Sequence, residues 1–222
     1  MAWEEGYTFD SIVNKLSLQR MQLKQIVGRK NMSVANNISN RLEKCFSSVI
    51  HDVMRDIGLK NFVLDPYIRP NNKHNKIAGQ IFTVNGKSSV DYDSHETLLA
   101  WTGLLSKAPS EKIIVCQPND STIALMGELS AEYLKMKGIR GYIVDGGCRD
   151  LEFINKIKIP VWSKFYTPKD IVSYWKPTDL GTSIKIGNIS IKSGDYLMAD
   201  IDGIVIIPEN HVTDILEKSE EL

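Results

Sequence analysis

Residues 112–150 read KIIVCQPNDSTIALMGELSAEYLKMKGIRGYIVDGGCRD, and they decide the architecture. Lys112 to Cys116 is a short run of β-branched and apolar residues, as expected of a strand buried on both faces. Gln117 to Thr122 is a polar loop. A helix from about Gly127 to Lys137 follows, closed by Gly138 where helices end. Tyr142 to Val144 is a second buried strand. This strand–loop–helix–strand order is a βαβ unit, and it predicts two neighbouring parallel strands. Their carboxyl ends then lie together, which is where α/β sheets gather ligands.

Two features meet at that edge. Gly127 sits where loop becomes helix, so the next backbone N–H groups lack intrahelical partners. With the helix dipole they form an anion site, with Leu129 and Ser130 as donors and Glu128 at the rim. Glu128 could equally serve only to complement the helix N-terminus. The second feature is Asp145-Gly-Gly-Cys-Arg-Asp150, whose double glycine brings backbone close to whatever binds there. Arg149 offers a planar fork of donors suited to a carboxylate, and Asp150 offers hard oxygens suited to a divalent cation. A ligand needing both is a small oxo-acid. Cys148 reads as packing rather than as a nucleophile, because no histidine is near in sequence to act as its base.

Outward from this unit, Gly79 to Val84 alternates like a half-buried strand, and Glu96 to Leu105 is an apolar helix ended by Pro109. Asn37 to Ile57 reads as one amphipathic helix, with Ile38, Leu42, Cys45, Val49, Val53 and Ile57 at helical spacing and Gly58 as its stop. Residues 1–35 read as a helical N-terminal extension and 36–222 as the main domain. After Pro160 the chain turns nearly all-β. Ile184-Lys-Ile186 and Ile189-Ser-Ile191 flank Gly187-Asn188 as a hairpin. Asp200-Ile-Asp202-Gly203 is either a carboxylate pair on one strand face or a turn, with the turn preferred. Val212 to Leu222 closes the chain as a short charged helix.

At 222 residues, one compact domain with terminal decorations is the simplest division. Lys plus Arg and Asp plus Glu both number 27, and this zero balance argues against a broad nucleic-acid footprint. No apolar run reaches the roughly 18 residues that span a bilayer. The acidic start, MAWEEGYTFD, is unlike a secretory signal. Three widely spaced cysteines read as reduced thiols, and the expected location is the cytoplasm. The four histidines show no metal-ligand spacing, so a metal site here is oxygen-rich and suits Mg²⁺ or Mn²⁺. His95 precedes a helix and is a candidate to approach the pocket. No phosphate-binding glycine loop is present.

These elements, in this order, resemble the RraA-like family, which includes the 4-hydroxy-4-methyl-2-oxoglutarate aldolases. The anchors are Ile68-Arg-Pro70, Ala78-Gly79, His95, Gly127-Glu-Leu129, Gly138-x-x-Gly141, Asp145-Gly-x-x-Arg149-Asp150, Pro160-Val161 and the run from Gly194-Asp195 through Ala199-Asp-x-Asp-Gly203 to Pro208. The resemblance implies an α/β fold, a compact β/β/α sandwich of the swivelling-domain type, assembled as homotrimers or homohexamers with sites at subunit interfaces. It implies that Asp150 binds the divalent metal and that Arg149 holds the substrate. It further implies that backbone amides at Gly127–Ser130 hold a pyruvate carboxylate and that Glu128 activates water. The implied reaction is metal-dependent cleavage of 4-hydroxy-2-oxo acids to pyruvate, with oxaloacetate decarboxylation through the same enolate. Aldolase members often bring an acidic residue from a neighbouring subunit's C-terminal helix; that position falls at or just past the end of this sequence, a departure in which Glu220 or Glu221 is the candidate substitute. The alternative is a non-catalytic regulator that binds a ribonuclease or other protein, in which the Arg-Asp pair is commonly degraded.

Overall fold

The computed structural model describes residues 34–222, so the helical extension expected over residues 1–35, with its loose stripe of Leu16, Leu18, Met21 and Ile26, falls outside the described residues but for its last two positions. The chain runs α1 (Val34–Leu42), α2 (Ser47–Asp56), β1 (Arg69–Pro70), β2 (Ile77–Ser88), α3 (Ser94–Lys107), β3 (Ile113–Gln117), α4 (Glu128–Met136), β4 (Gly141–Val144), β5 (Gly147–Cys148) and α5 (Leu151–Ile157). It continues as β6 (Val161–Ser163), β7 (Phe165–Tyr166), β8 (Trp175–Leu180), β9 (Ile184–Ile186), β10 (Ile189–Ile191), β11 (Tyr196–Ala199), β12 (Ile204–Ile207) and α6 (Val212–Glu220).

One mixed sheet is ordered β1-β6-β4-β3-β2-β11-β12, with β8 pairing β2 beside that path. The expected βαβ unit is present: β3 and β4 are parallel neighbours, with Ile113 opposite Gly141 and Cys116 opposite Val144. Helix α4 closes as read, with Gly138 at φ +80 and Ile139 N–H donating to the Leu134 carbonyl at 3.0 Å. The hairpin is present too, β9 and β10 turning at Gly187 (φ +57).

Strand alternation sorts the core into layers. Ile113 and Val115 of β3, Ile143 of β4, Leu197 of β11 and Ile206 of β12 pack with the β9–β10 hairpin. Ile114, Cys116, Tyr142 and Val144 point the other way, onto Trp101, Leu104, Leu134 and Ile154 of α3, α4 and α5. On that second face, further along the sheet, Tyr196, Met198, Val205 and Ile207 meet Leu42, Ile50, Met54, Ile215 and Leu216 of α1, α2 and α6. Hairpin, sheet and helices are the expected β/β/α layers. Each fully buried Ile or Leu contributes roughly 1.5–3 kcal/mol.

The single helix expected over Asn37–Ile57 is two helices, broken at Glu43–Phe46. The cause lies far away in sequence. The Asp200 carboxylate accepts from Ser47 N–H at 2.9 Å and from Ser47 Oγ at 2.6 Å, so a new helix starts at Ser47 on a buried anion. Asp200 also accepts from Asp202 N–H at 3.0 Å, and Asp200 N–H donates to the Gly203 carbonyl at 3.0 Å. Asp200-Ile-Asp202-Gly203 is therefore the preferred turn.

Candidate active site

The loop after β3 stays zipped to the chain after β4. Gly147 N–H donates to the Ile123 carbonyl (3.2 Å), Leu125 N–H to Gly147 (2.9 Å) and Arg149 N–H to Met126 (2.9 Å). On the other side Lys164 N–H donates to Gly146 (2.8 Å) and Thr167 N–H to Cys148 (3.1 Å). This extension delivers the start of α4 beside Arg149 and Asp150, as the strand order predicted. The double glycine does permit a close approach, but to the protein itself. A Cβ on Gly147 would lie 2.5 Å from the Ile123 carbonyl oxygen and 2.6 Å from the Phe165 ring.

Asp150 stands in the left-handed region (φ 58, ψ 37), a conformation that Asp and Asn tolerate better than other side chains. Its carboxylate caps α4 instead of its own helix: Oδ2 accepts from Glu128 N–H at 3.0 Å. Gly127, in extended backbone, makes this possible, because a Cβ there would sit 2.8 Å from that oxygen and 3.1 Å from Arg149 Nε. Ala131 is the first residue of α4 to bond back, to the Gly127 carbonyl at 3.0 Å, so Leu129 and Ser130 N–H lack intrahelical partners. Arg149 spans three acceptors, with Nη1 3.2 Å from Asp170 Oδ2 and 3.3 Å from the Pro168 carbonyl, and Nε 3.5 Å from Asp150 Oδ2.

These groups form one end of a cavity of about 690 Å³, in the usual range for small-molecule sites. Gly127, Glu128, Ser130, Arg149, Asp150 and Asp170 are among its polar lining, and Leu98, Trp101, Leu105, Tyr133, Ile171 and Val172 among its apolar lining. The Trp101 Nε1–H donates to Ser130 Oγ at 2.9 Å, which ties α3 to α4.

Cys148 is fully buried, and burial pushes its thiol up to about 12, which suits packing and not nucleophilic attack. His95, a candidate to approach the pocket, is exposed and does not line the cavity. Glu220 accepts from Arg41 Nε at 2.9 Å on the same chain. Asp170 is the residue that sequence reading missed. It lies in Thr167-Pro-Lys-Asp170, which carries no motif, and only the zipped loops bring it to Arg149.

A divalent cation fits the donor chemistry present. Among the described residues no three or more His, Cys, Asp or Glu side chains converge as a cage. Asp150 Oδ2 is occupied by Glu128 N–H, whereas Oδ1 meets no hydrogen-bond donor among the described residues. One hard oxygen to spare on a residue that lines the cavity suits Mg²⁺ or Mn²⁺, which keep several waters.

Residues 47–206 match the family model described as RraA-like, Aldolase/RraA. The chain belongs to the RraA-like family. A protein of Halalkalibacterium halodurans named "Putative 4-hydroxy-4-methyl-2-oxoglutarate aldolase" is 26% identical over 167 residues, covering 74% of this chain and 74% of that one. Further bacterial relatives are named for the same activity. Among solved structures, one titled as novel cellulases from microbes associated with the gut ecosystem has a TM-score of 0.78 and 25% identity, covering 93% of this chain and 96% of that chain. Streptomyces coelicolor RraAS2, titled an unusual member of the RNase ES inhibitor RraA protein family, has a TM-score of 0.73 at 21% identity, over 83% of this chain and 91% of that one. The latter likeness is one of fold alone. Among the described residues no helix is long and apolar enough to cross a membrane.

Proposed function

We propose that this RraA-like chain is a divalent-metal-dependent lyase that cleaves 4-hydroxy-2-oxo acids such as 4-hydroxy-4-methyl-2-oxoglutarate to pyruvate and decarboxylates oxaloacetate through the same enolate. The observation that carries the reading is the packing of Arg149 and Asp150 on Gly127, at the start of α4 and inside one cavity. The relatives named as aldolases support it.

In this reading the unpaired N–H groups of Leu129 and Ser130 hold the substrate carboxylate, helped by the dipole of α4. Arg149 lies beside the 2-oxo group and stabilises the negative charge that develops there, the kind of electrostatic help that dominates many reactions. Glu128, through a water, takes the proton of the C4 hydroxyl as the C3–C4 bond breaks, and returns a proton to C3 of the enolate. Asp150 would hold Mg²⁺ or Mn²⁺, which when bound supplies Lewis-acid polarisation of the oxo group. The same proposal places residues 36–222 as the catalytic domain of a cytoplasmic homotrimer or homohexamer.

The test is exchange of the pyruvate methyl protons in D₂O, followed by proton NMR, since enolisation needs no aldehyde partner. Exchange should require Mg²⁺ or Mn²⁺ and stop with EDTA. Folded, metal-supplied protein that leaves the methyl signal intact would sink the proposal. A second reading, a protein-binding regulator, draws on Leu129 and Met136 of α4, which are 81% and 86% exposed. Asp150→Asn separates the two, ending exchange in the first and sparing partner binding in the second.

A further inference from the structure

Residues 164–175, which leave β6 at the carboxyl edge of the sheet, run as a strap along the loops that hold the site. Ala124 N–H donates to the Lys169 carbonyl at 2.7 Å, Ser173 N–H to Thr97 Oγ1 at 3.0 Å, and Trp175 N–H to the Ile171 carbonyl at 3.0 Å. Ile171 is buried in the same core cluster as Trp175. Asp170 thus sits on a segment anchored on both sides. Its own carboxylate is held too, because Oδ1 accepts from Val172 N–H at 3.1 Å, a local Asx turn. The second oxygen, Oδ2, stands 3.2 Å from Arg149 Nη1.

The exposure of the pair says what it does. The two side chains are 37% and 35% exposed, and an ion pair that open to water adds little to stability. What it fixes is direction. A guanidinium is a planar fork, so holding one arm sets the others. The Pro168 carbonyl, 3.3 Å from the same Nη1, shares that arm. Nε lies 3.5 Å from Asp150 Oδ2, and Nη2 donates no hydrogen bond among the described residues. Without Asp170, the carboxylate left beside Arg149 is that of Asp150, the group proposed to hold the cation.

We infer that Asp170 is a positioning residue: it holds one arm of Arg149, keeps the guanidinium from closing on Asp150, and leaves Nη2 to a substrate oxygen. The inference rests on the lyase reading for what is bound. The contact itself is made within one chain, so it needs no neighbouring subunit.

A double-mutant cycle on the full chain tests it. Asp170→Asn keeps an acceptor for Val172 N–H and removes the charge. It should slow metal-dependent exchange of the pyruvate methyl protons about tenfold and move the melting temperature by no more than about 2 °C. Arg149→Ala should slow exchange about a hundredfold. The double variant should be no slower than Arg149→Ala, because the two residues act as a unit. Added guanidinium ion, at concentrations too low to unfold the protein, should raise the Arg149→Ala rate and leave the double variant unchanged. Parental exchange in Asp170→Asn, or a double variant slowed about a thousandfold as independent losses require, overturns the inference. So does a large drop in melting temperature with activity per folded molecule kept, which makes Asp170 a structural tie.

Calorimetric titration of oxalate, an unreactive analogue of the pyruvate enolate, with Mg²⁺ present repeats the cycle without catalysis. Asp170→Asn should weaken binding about tenfold where Arg149 is present and not at all in Arg149→Ala. A parent protein that exchanges no pyruvate protons but shows this binding cycle loses the lyase reading and keeps the inference. One that exchanges them without any coupling between Asp170 and Arg149 keeps the reading and loses the inference, and one that neither exchanges nor binds loses both.

Discussion

Two aspartates in this molecule cap a helix that is not their own, and they do so for opposite ends. Asp150 accepts one N–H, from Glu128 at the start of α4, and its side chain is 37% exposed beside Arg149 and the cavity. Asp200 accepts three times, from Ser47 N–H, Ser47 Oγ and Asp202 N–H, and is 6% exposed. A buried carboxylate with both oxygens engaged is a structural tie, because removing it strands its donors. A carboxylate with one oxygen engaged, on a residue that lines a cavity, has coordinating capacity to spare. Completeness of satisfaction, more than position at a helix end, separates the two.

The largest effect expected is at Asp150. Asp150→Asn keeps an acceptor for Glu128 N–H and tolerates the left-handed backbone, yet removes the charge. Metal-dependent exchange of pyruvate protons should fall about a thousandfold, with melting temperature moved by no more than about 2 °C. A large drop in melting temperature would place Asp150 in the same class as Asp200 and break the contrast.

Asp200→Ala should do the reverse. It leaves the two donors of Ser47 and the N–H of Asp202 without their acceptor in a buried site, at a cost of about 3 kcal/mol. Denaturant unfolding should show this loss, and activity per folded molecule at low temperature should be near that of the parent. An activity loss beyond the unfolded fraction would mean that the two ends of the sheet are coupled.

The contrast also explains what was readable in the chain. The βαβ unit from Ile113 to Val144 and the hairpin at Gly187 are specified by local pattern and by turn chemistry, so they were legible. The approach of Gly127–Ser130 to Arg149–Asp150 followed from topology, since parallel neighbours bring their carboxyl ends together. The break between α1 and α2 was not legible, because its cause, Asp200, lies 153 residues from Ser47. Apolar spacing across Glu43–Phe46 is compatible with one helix, and tertiary contact overrides it. Asp170 was hidden for a related reason: it meets Arg149 only through loops paired by backbone bonds. The apolar lining was hidden differently, since Leu98, Trp101 and Leu105 at helical spacing read the same for a core face as for a pocket.

Gly127 tests the middle of the contrast. A Cβ at 2.8 Å from Asp150 Oδ2 can be relieved by moving the flexible carboxylate, so Gly127→Ala should fold almost normally. The displaced carboxylate and guanidinium should lower kcat/KM by about ten- to a hundredfold, as sub-ångström to ångström misplacement of reacting groups does. Full activity would mean that Asp150 is not held where the chemistry needs it.

The smallest effect is at Ser47, and it sharpens the comparison from the structural side. Ser47→Ala removes Oγ, which donates to Asp200 at 2.6 Å, but leaves the backbone donor at 2.9 Å in place. The buried carboxylate then loses one of three partners and remains bonded by Ser47 N–H and Asp202 N–H. The expected cost is about 1 kcal/mol, a lower denaturation midpoint with an unchanged slope, and no change in activity. A cost matching that of Asp200→Ala would mean that the side-chain hydroxyl, and not the backbone cap, is what starts the second helix at this residue.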